Sequence, residues 1–282
     1  MKFGVALARC NPACHADLAV AADELGFESV WMSDHLVFPV DLSGSPHPGS
    51  DAPPVPPTTP VFDTFAWLAH LAAKTRHVRL GTNVYLLALR HPFAAARAVA
   101  TLDIVSNGRA ELGVGAGWLR QEFEAAGLDP ATRGRRLDEN LAVCRRLWTE
   151  DVIEHRGEFY RFAPVRFEPK PVQKPHPRIH VGGESPAALR RAATAGGWYG
   201  LQTTPEGVSD VVRRLHRLRR EAGRGDESFE VTLGGELREP DDVERFAAAG
   251  VDRLVVSPWR RSRDAVEGLR RYADRVGLKG RT

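Results

Sequence analysis

Three short stretches of this chain carry residue types that can do chemistry. The first is Trp31-Met32-Ser33-Asp34-His35, an apolar run that ends in a hydroxyl, a carboxylate and an imidazole. An imidazole changes charge near neutral pH, so His35 can give or take a proton in a reaction, with Asp34 beside it as a second acid–base group. The alternative is that His35 only caps backbone at a strand end. The second stretch is Ile179-His180-Val181-Gly182-Gly183-Glu184-Ser185-Pro186. A strand, two glycines and a capped helix start bring free backbone N–H groups together where the helix dipole favours negative charge, so an anion site is expected here. Glu184 is out of keeping with a bound anion, and its side chain is expected to point away. The third stretch is Gly113-Val114-Gly115-Ala116-Gly117-Trp118, small residues at the end of a strand-like run. They let a flat ligand lie close to the backbone. They are not a dinucleotide fingerprint, because the Gly-x-Gly-x-x-Gly spacing is not kept and Trp118 interrupts it.

The elements that must position these residues alternate along the chain. Short apolar runs at 2–8, 28–32, 78–84, 110–114, 178–181, 198–202, 229–233 and 253–256 read as strands buried on both faces. Helical patterns lie at 15–25, 62–74, 93–105, 133–148, 186–195, 208–221, 241–249 and 263–276. Eight alternations predict an α/β fold, a (β/α)8 TIM barrel spanning residues 1–282 as one domain; an open doubly wound sheet shares the alternation. In a barrel all strand C-termini share one face, and the stretches above end there. Two segments interrupt the rhythm. Residues 37–60 hold eight prolines and cannot be a regular helix or central strand. They leave the strand that ends at Asp34-His35 and are expected to form a lid over the active face, a disordered surface loop being the alternative. Residues 149–177 are expected to form an insertion arm with a small hairpin. Arg120, Gln121 and Glu122 are read as a loop that could reach the barrel mouth.

Composition narrows the function classes. The net charge of +3 is too mild to imply nucleic acid. The arginines Arg213, Arg214, Arg217, Arg219 and Arg220 follow a helical pattern with Leu215 and Leu218 and are read as a solvated face. No apolar run approaches the ~20 residues of a membrane span, so no membrane partner and a cytoplasmic location are expected. The three cysteines, Cys10, Cys14 and Cys144, make no disulfide framework, and Cys10 and Cys14 with His15 lack a second ligand pair at zinc spacing, so no metal is expected.

The longest signature is Arg79-Leu80-Gly81-Thr82-Asn83-Val84, then Arg90-His91-Pro92, then Leu102 through Trp118. It resembles the luciferase-like flavin and deazaflavin oxidoreductases, a TIM-barrel superfamily, and within it the branch that uses coenzyme F420. That resemblance covers nearly the whole chain. It implies F420 as cofactor, with FMN the alternative, and a small organic substrate. Carried over residue by residue, Asp34 and His35 lie beside the cofactor's reactive ring as catalytic and binding groups. Thr82, Asn83 and Val84 form a bulge behind that ring, with a non-prolyl cis peptide at Asn83–Val84. Gly115 belongs to the pocket wall, and Val181, Gly182, Gly183 and Ser185 grip the cofactor phosphate. The reaction implied is hydride transfer at the deazaflavin C5; the alternatives are an FMNH2-dependent monooxygenase and a barrel that binds a flavin or ligand without turnover. Sugar-phosphate dehydrogenases of this branch place an acid about where Ala116 stands, which puts that activity in doubt. A homodimer is expected.

Overall fold

The computed structural model describes residues 1–8, 10–42, 55–201, 203–239 and 241–280. Residues 43–54 of the proline-rich segment, half of the expected lid, lie outside the described residues. So do Arg9, Gln202, Pro240 and 281–282.

Among the described residues ten strands form: β1 (Lys2–Ala6), β2 (Ser29–Met32), β3 (Arg79–Thr82), β4 (Ala110–Val114), β5 (Ile153–Arg156), β6 (Arg161–Val165), β7 (Ile179–Gly182), β8 (Gly197–Gly200), β9 (Glu230–Gly234) and β10 (Arg253–Val256). Eight of them are parallel and close into a barrel in the order β1-β2-β3-β4-β7-β8-β9-β10. The remaining pair, β5 and β6, is an antiparallel hairpin outside the barrel. The helices are α1 (His15–Glu24), α2 (Thr64–Ala72), α3 (Pro92–Val105), α4 (Arg120–Ala125), α5 (Arg133–Thr149), α6 (Pro186–Ala193), α7 (Pro205–Glu221), α8 (Asp242–Ala248) and α9 (Ala265–Arg275). The fold is the (β/α)8 TIM barrel.

Strand alternation splits the core in two. Val5, Val30, Leu80, Leu112, Val181, Trp198, Val231 and Leu254 belong to the large apolar cluster beneath the helices. Trp31, Tyr199 and Val255 form a second cluster inside the barrel. Trp31 fills the middle of that interior because small residues face it: a Cβ at Gly81 would fall on the indole, and one at Gly4 would lie 2.9 Å from Nε1. Beneath Trp31, at the strand N-termini, the interior is charged. Arg253 makes a bidentate pair with Glu28 at 2.7 and 2.8 Å, and His180 Nε2 lies 2.8 Å from Glu111. Lys2 pairs with Glu230, and Arg79 with Glu111.

Three sequence readings change. The β3 ladder ends at Thr82, not Val84; Asn83 donates to the Met32 carbonyl, the Asn83–Val84 peptide is cis, and Tyr85 rejoins β4 by a bridge to Val114. Residues 120–125 are helix α4, because Leu119 and Phe123 are both fully buried and pin a helical turn to the barrel. Arg219 is not part of a solvated face: it is 1% exposed. Its guanidinium donates to the carbonyls of Ala193, Ala195, Arg224 and Glu227 and lies 4.2 Å over the Phe229 ring. Five fixed N–H donors suit a guanidinium to satisfy carbonyls left over where α6 and α7 end. Arg213, Arg217 and Arg220 do face solvent.

Candidate active site

The strand C-termini open into a cavity of about 880 Å³. Asp34, His35, Asn83, Val84, Gly115, Val181, Gly182, Gly183 and Ser185 all line it. Thr82 does not. It is fully buried in the barrel wall, and its hydroxyl donates to the Gly113 carbonyl at 2.7 Å. Strand alternation turns its side chain out of the cavity and leaves Asn83 and Val84 to face it.

Asp34 and His35 leave β2 together but are placed differently. Asp34 is buried, and both its oxygens are taken: Oδ1 accepts from Arg90 at 2.8 Å and Thr64 at 3.0 Å, Oδ2 from the Leu86 amide at 2.8 Å. Burial raises its carboxyl above the ordinary value, and Arg90, the Leu86 amide and Thr64 oppose that shift. This carboxylate ties the end of β2 to α2 and to the segment after β3. His35 keeps one ring nitrogen for the cavity. Its Nδ1 lies 2.9 Å from Glu122 Oε2, and Nε2 has no partner among the described residues. Glu122 is fully buried on α4, and its other oxygen accepts from the Leu36 amide at 2.6 Å and the Val37 amide at 3.4 Å. A carboxylate that takes the Nδ1 proton leaves Nε2 as the acceptor in neutral imidazole and the donor in imidazolium. Phe38 and Trp118 flank the ring, with centroids 4.5 and 6.0 Å away.

In sequence Glu122 reads only as part of a loop near the mouth. A signal was present: Leu119 and Phe123 are spaced one helical turn apart with Glu122 beside them, which puts an acid next to a buried stripe.

On the opposite wall the cavity is flat. A Cβ at Gly182 would lie 2.8 Å from Val84 Cγ1, so Val84 can press close to the backbone of β7 only because residue 182 has no side chain. Asn83 Nδ2 donates to Tyr199 Oη at 3.3 Å, while Asn83 Oδ1 is buried with no partner among the described residues. A buried acceptor without a donor is costly, so one that lines a cavity marks where a ligand N–H or O–H belongs. Burial pushes the Tyr199 phenol up to about 12, so it stays a neutral donor and acceptor. The chain then turns at Gly183, whose φ of +101° a side chain would strain. The Gly183 amide itself donates to the Tyr199 carbonyl at 3.4 Å. Among the described residues the amides of Glu184, Ser185 and Ala187 show no acceptor and are the donors open at the start of α6. Ser185 caps α6 by accepting from the Ala188 amide at 3.2 Å, which leaves its hydroxyl proton free to donate. Glu184 is exposed. Arg133 and Arg191 line the same end of the cavity. A ring with polar edges and an anionic tail fits these residues: Val84 and the glycines for its face, Asn83 for its edge, the α6 start for its anion.

The strand N-termini hold a different cluster. Ligand atoms of Glu111, His180 and Glu230 lie within 4.8 Å of one another, in metal-site proximity. Arg79 pairs with Glu111, and Lys2 and Arg253 with Glu230, so the chain's own cations already balance these carboxylates.

Residues 1–237 match the model of the luciferase-like monooxygenases. The chain belongs to that family. An uncharacterized protein of Mycobacterium tuberculosis is 33% identical over 259 residues, 91% of this chain and 88% of its own. The oxygenase component of a flavin-dependent trigonelline monooxygenase from Acinetobacter baylyi is 32% identical over 69% of this chain and 49% of its own length. An F420-dependent glucose-6-phosphate dehydrogenase from Amycolatopsis mediterranei is 31% identical over 71% of this chain and 56% of its own. Among solved structures, a monooxygenase from Streptomyces bottropensis superposes with a TM-score of 0.75 at 25% identity, covering 98% of both chains. The family is one of oxidoreductases and monooxygenases, and two of these relatives are named as flavin-dependent and F420-dependent. No helix among the described residues is long and apolar enough to cross a membrane.

Proposed function

We propose that this protein is an oxidoreductase that uses coenzyme F420 to move a hydride to or from a small organic substrate. The observation that carries this reading is the free Nε2 of His35, facing the cavity with its tautomer set by Glu122. Hydride transfer to a carbonyl needs one proton at the oxygen, and transfer from an alcohol releases one; Nε2 is placed to supply or accept it. The deazaflavin, when bound, supplies the hydride at C5, a chemistry that belongs to the cofactor.

The chain's own residues do the rest. Asn83 Oδ1 would accept a hydrogen bond from the cofactor ring, and Val84, with Gly115 and Gly182 beside it, would support that ring. Ser185 and the amides of Glu184 and Ser185 would hold the anionic tail at the start of α6. Asp34 acts at one remove, fixing the backbone from which His35 projects. Phe38 and Trp118 screen His35 from water. A second reading, an FMNH2-dependent monooxygenase, is supported by the flavin-dependent relative at 32% identity.

Titrating the purified protein with F420, FMN and FAD separates these readings. F420 is expected to bind at least tenfold more tightly than FMN, a difference of about 1.4 kcal/mol. Equal or tighter FMN binding would overturn the F420 assignment in favour of the monooxygenase.

A further inference from the structure

Two of the three cysteines flank one tight turn where the chain leaves β1. Asn11 Oδ1 accepts from the Ala13 amide at 3.0 Å, and the Cys14 amide donates to the Asn11 carbonyl at 2.8 Å. Pro12 fixes the backbone between the two cysteines and opens one short helical turn, Pro12–Cys14. The turn is held from outside as well. The Asn11 amide donates to the Ser262 hydroxyl at 2.8 Å, the Cys10 amide donates to the Leu7 carbonyl at 2.9 Å, and the Cys10 carbonyl lies 3.0 Å from His15 Nε2. These ties bring the sulfurs together: the Cys10 thiol has the side chains of Cys14 and Ser262 as its hydrogen-bond neighbours.

The two thiols are not equivalent. Cys10 is 7% exposed and lines the barrel-mouth cavity with Pro12 and His15. Cys14 is partly exposed at the start of α1. Burial pushes the Cys10 thiol up to about 11, and Cys14 beside it adds to that shift. Cys10 therefore keeps its proton at neutral pH, and Cys14 is the sulfur that an oxidant reaches from solvent. The third cysteine, Cys144, is buried in the core, where its thiol donates to the Pro92 carbonyl at 3.6 Å. Neither Cys10 nor Cys14 enters the proposed hydride transfer.

We infer that Cys10 and Cys14 are a reversible redox pair, oxidised by hydrogen peroxide to an intramolecular disulfide in the cavity wall and reduced again by thiols. The Cys14 sulfur attacks a peroxide oxygen; the O–O bond breaks, one water leaves, and Cys14 becomes a sulfenic acid. The Cys10 sulfur then attacks the Cys14 sulfur. The S–O bond breaks, the S–S bond forms, and the hydroxyl leaves with the Cys10 proton as a second water. Two thiols give up two electrons and one peroxide takes them. A thiol reductant reverses the change by exchange at the disulfide.

The test uses the full chain. Reduced protein is treated with one equivalent of hydrogen peroxide, alkylated in denaturant and mapped by mass spectrometry. The peptide that carries both Cys10 and Cys14 is expected to lose about 2 Da and to take up no alkylating agent, while Cys144 is alkylated. Dithiothreitol is expected to restore both sites. Persistence of both free thiols, a crosslink between two chains, or sulfinic acid at either site without the disulfide would overturn the proposal. Equilibration in glutathione buffers tests whether the fold builds the pair. The constant for forming the disulfide is expected to be at least about tenfold larger in the folded chain than in the chain unfolded in urea. An equal or smaller constant in the folded chain would mean that the turn opposes the bond, which also overturns it. In Cys10→Ser the reaction is expected to stop at a sulfenic acid on Cys14 that dimedone labels; a folded variant without the label removes the sulfenic step and the proposal with it. The mapping of the unaltered chain decides the matter without any variant.

Discussion

At the scale of single residues, Glu122 and His35 divide one task. His35 meets the cavity, and Glu122 decides which of its nitrogens does so. Replacing Glu122 by Gln keeps the shape and can keep the bond to the Leu36 amide, but its amide would donate to Nδ1 and reverse the tautomer. Glu122→Gln is therefore expected to lower turnover about ten- to a hundredfold, to shift the pH–rate profile, and to leave cofactor affinity within about twofold. His35→Ala should lose on the order of a hundredfold in turnover with no change in that affinity. Unaltered turnover and pH profile in Glu122→Gln would reduce Glu122 to a tie for the loop root at Leu36 and Val37. The residue types at 34 and 35 were readable as acid–base candidates. Which of the two keeps a free atom was not, because Arg90, Thr64, Leu86 and Glu122 come from 30 to 87 residues away in the chain.

At the scale of elements, the β7–α6 turn is the part most sharply specified. Gly183 has φ +101°, its amide meets the Tyr199 carbonyl, and its carbonyl accepts from the Trp198 indole at 2.8 Å. A Cβ there would stand 3.3 Å from Ala188 and would strain the backbone. Gly183→Ala is expected to cost about 1–3 kcal/mol of stability and to weaken cofactor binding at least tenfold, because the open amides of Glu184 and Ser185 move with the turn. Chemical denaturation and cofactor titration read the two effects separately; an unchanged cofactor affinity in the destabilised variant would place the anion elsewhere. Glycines after a strand and before Ser-Pro signalled this turn. Helix α4 left only the Leu119–Phe123 spacing as a signal, because four of its six residues are charged or polar and read as a loop.

At the scale of the whole molecule, the barrel is charged at its floor. Burial alone would raise the Glu111 carboxyl, but the hydrogen bond and charge of His180, with Arg79 and Arg253, hold it down at about 2, against an ordinary 4.5. Glu230 is also lowered: burial works against this, and Arg253 and Lys2 bring it about. A carboxylate with a depressed folded-state pKa contributes stability that is present above its ordinary value and lost as pH falls toward the folded one. The melting temperature is therefore expected to fall as pH drops from about 4.5 toward about 2, and Glu111→Gln should flatten that slope while lowering stability at neutral pH. An equal slope in the variant would show that other carboxylates govern acid unfolding. Arg253→Met, which leaves Glu28 and Glu230 without their shared cation, is expected to cost about 3–5 kcal/mol in denaturant unfolding.

Eight apolar runs separated by helical patterns and short turns narrow the fold to a barrel or an open doubly wound sheet, the ways to bury such strands on both faces, and the family resemblance favours the barrel. The rim was also legible, since Asp34-His35, Asn83-Val84, Gly115 and Gly182-Gly183 each follow a strand and so share one face. Which polar atoms are spent and which are free depends on the folded chain. Thr82 is turned into the wall by strand alternation and a bond to Gly113. Asp34 is consumed by Arg90. Arg219 is drawn inward by four carbonyls. His35 Nε2 and Asn83 Oδ1 are left facing the cavity. Those outcomes depend on hydrogen-bond partners that the chain brings together from distant positions, and no local pattern of residue types records them.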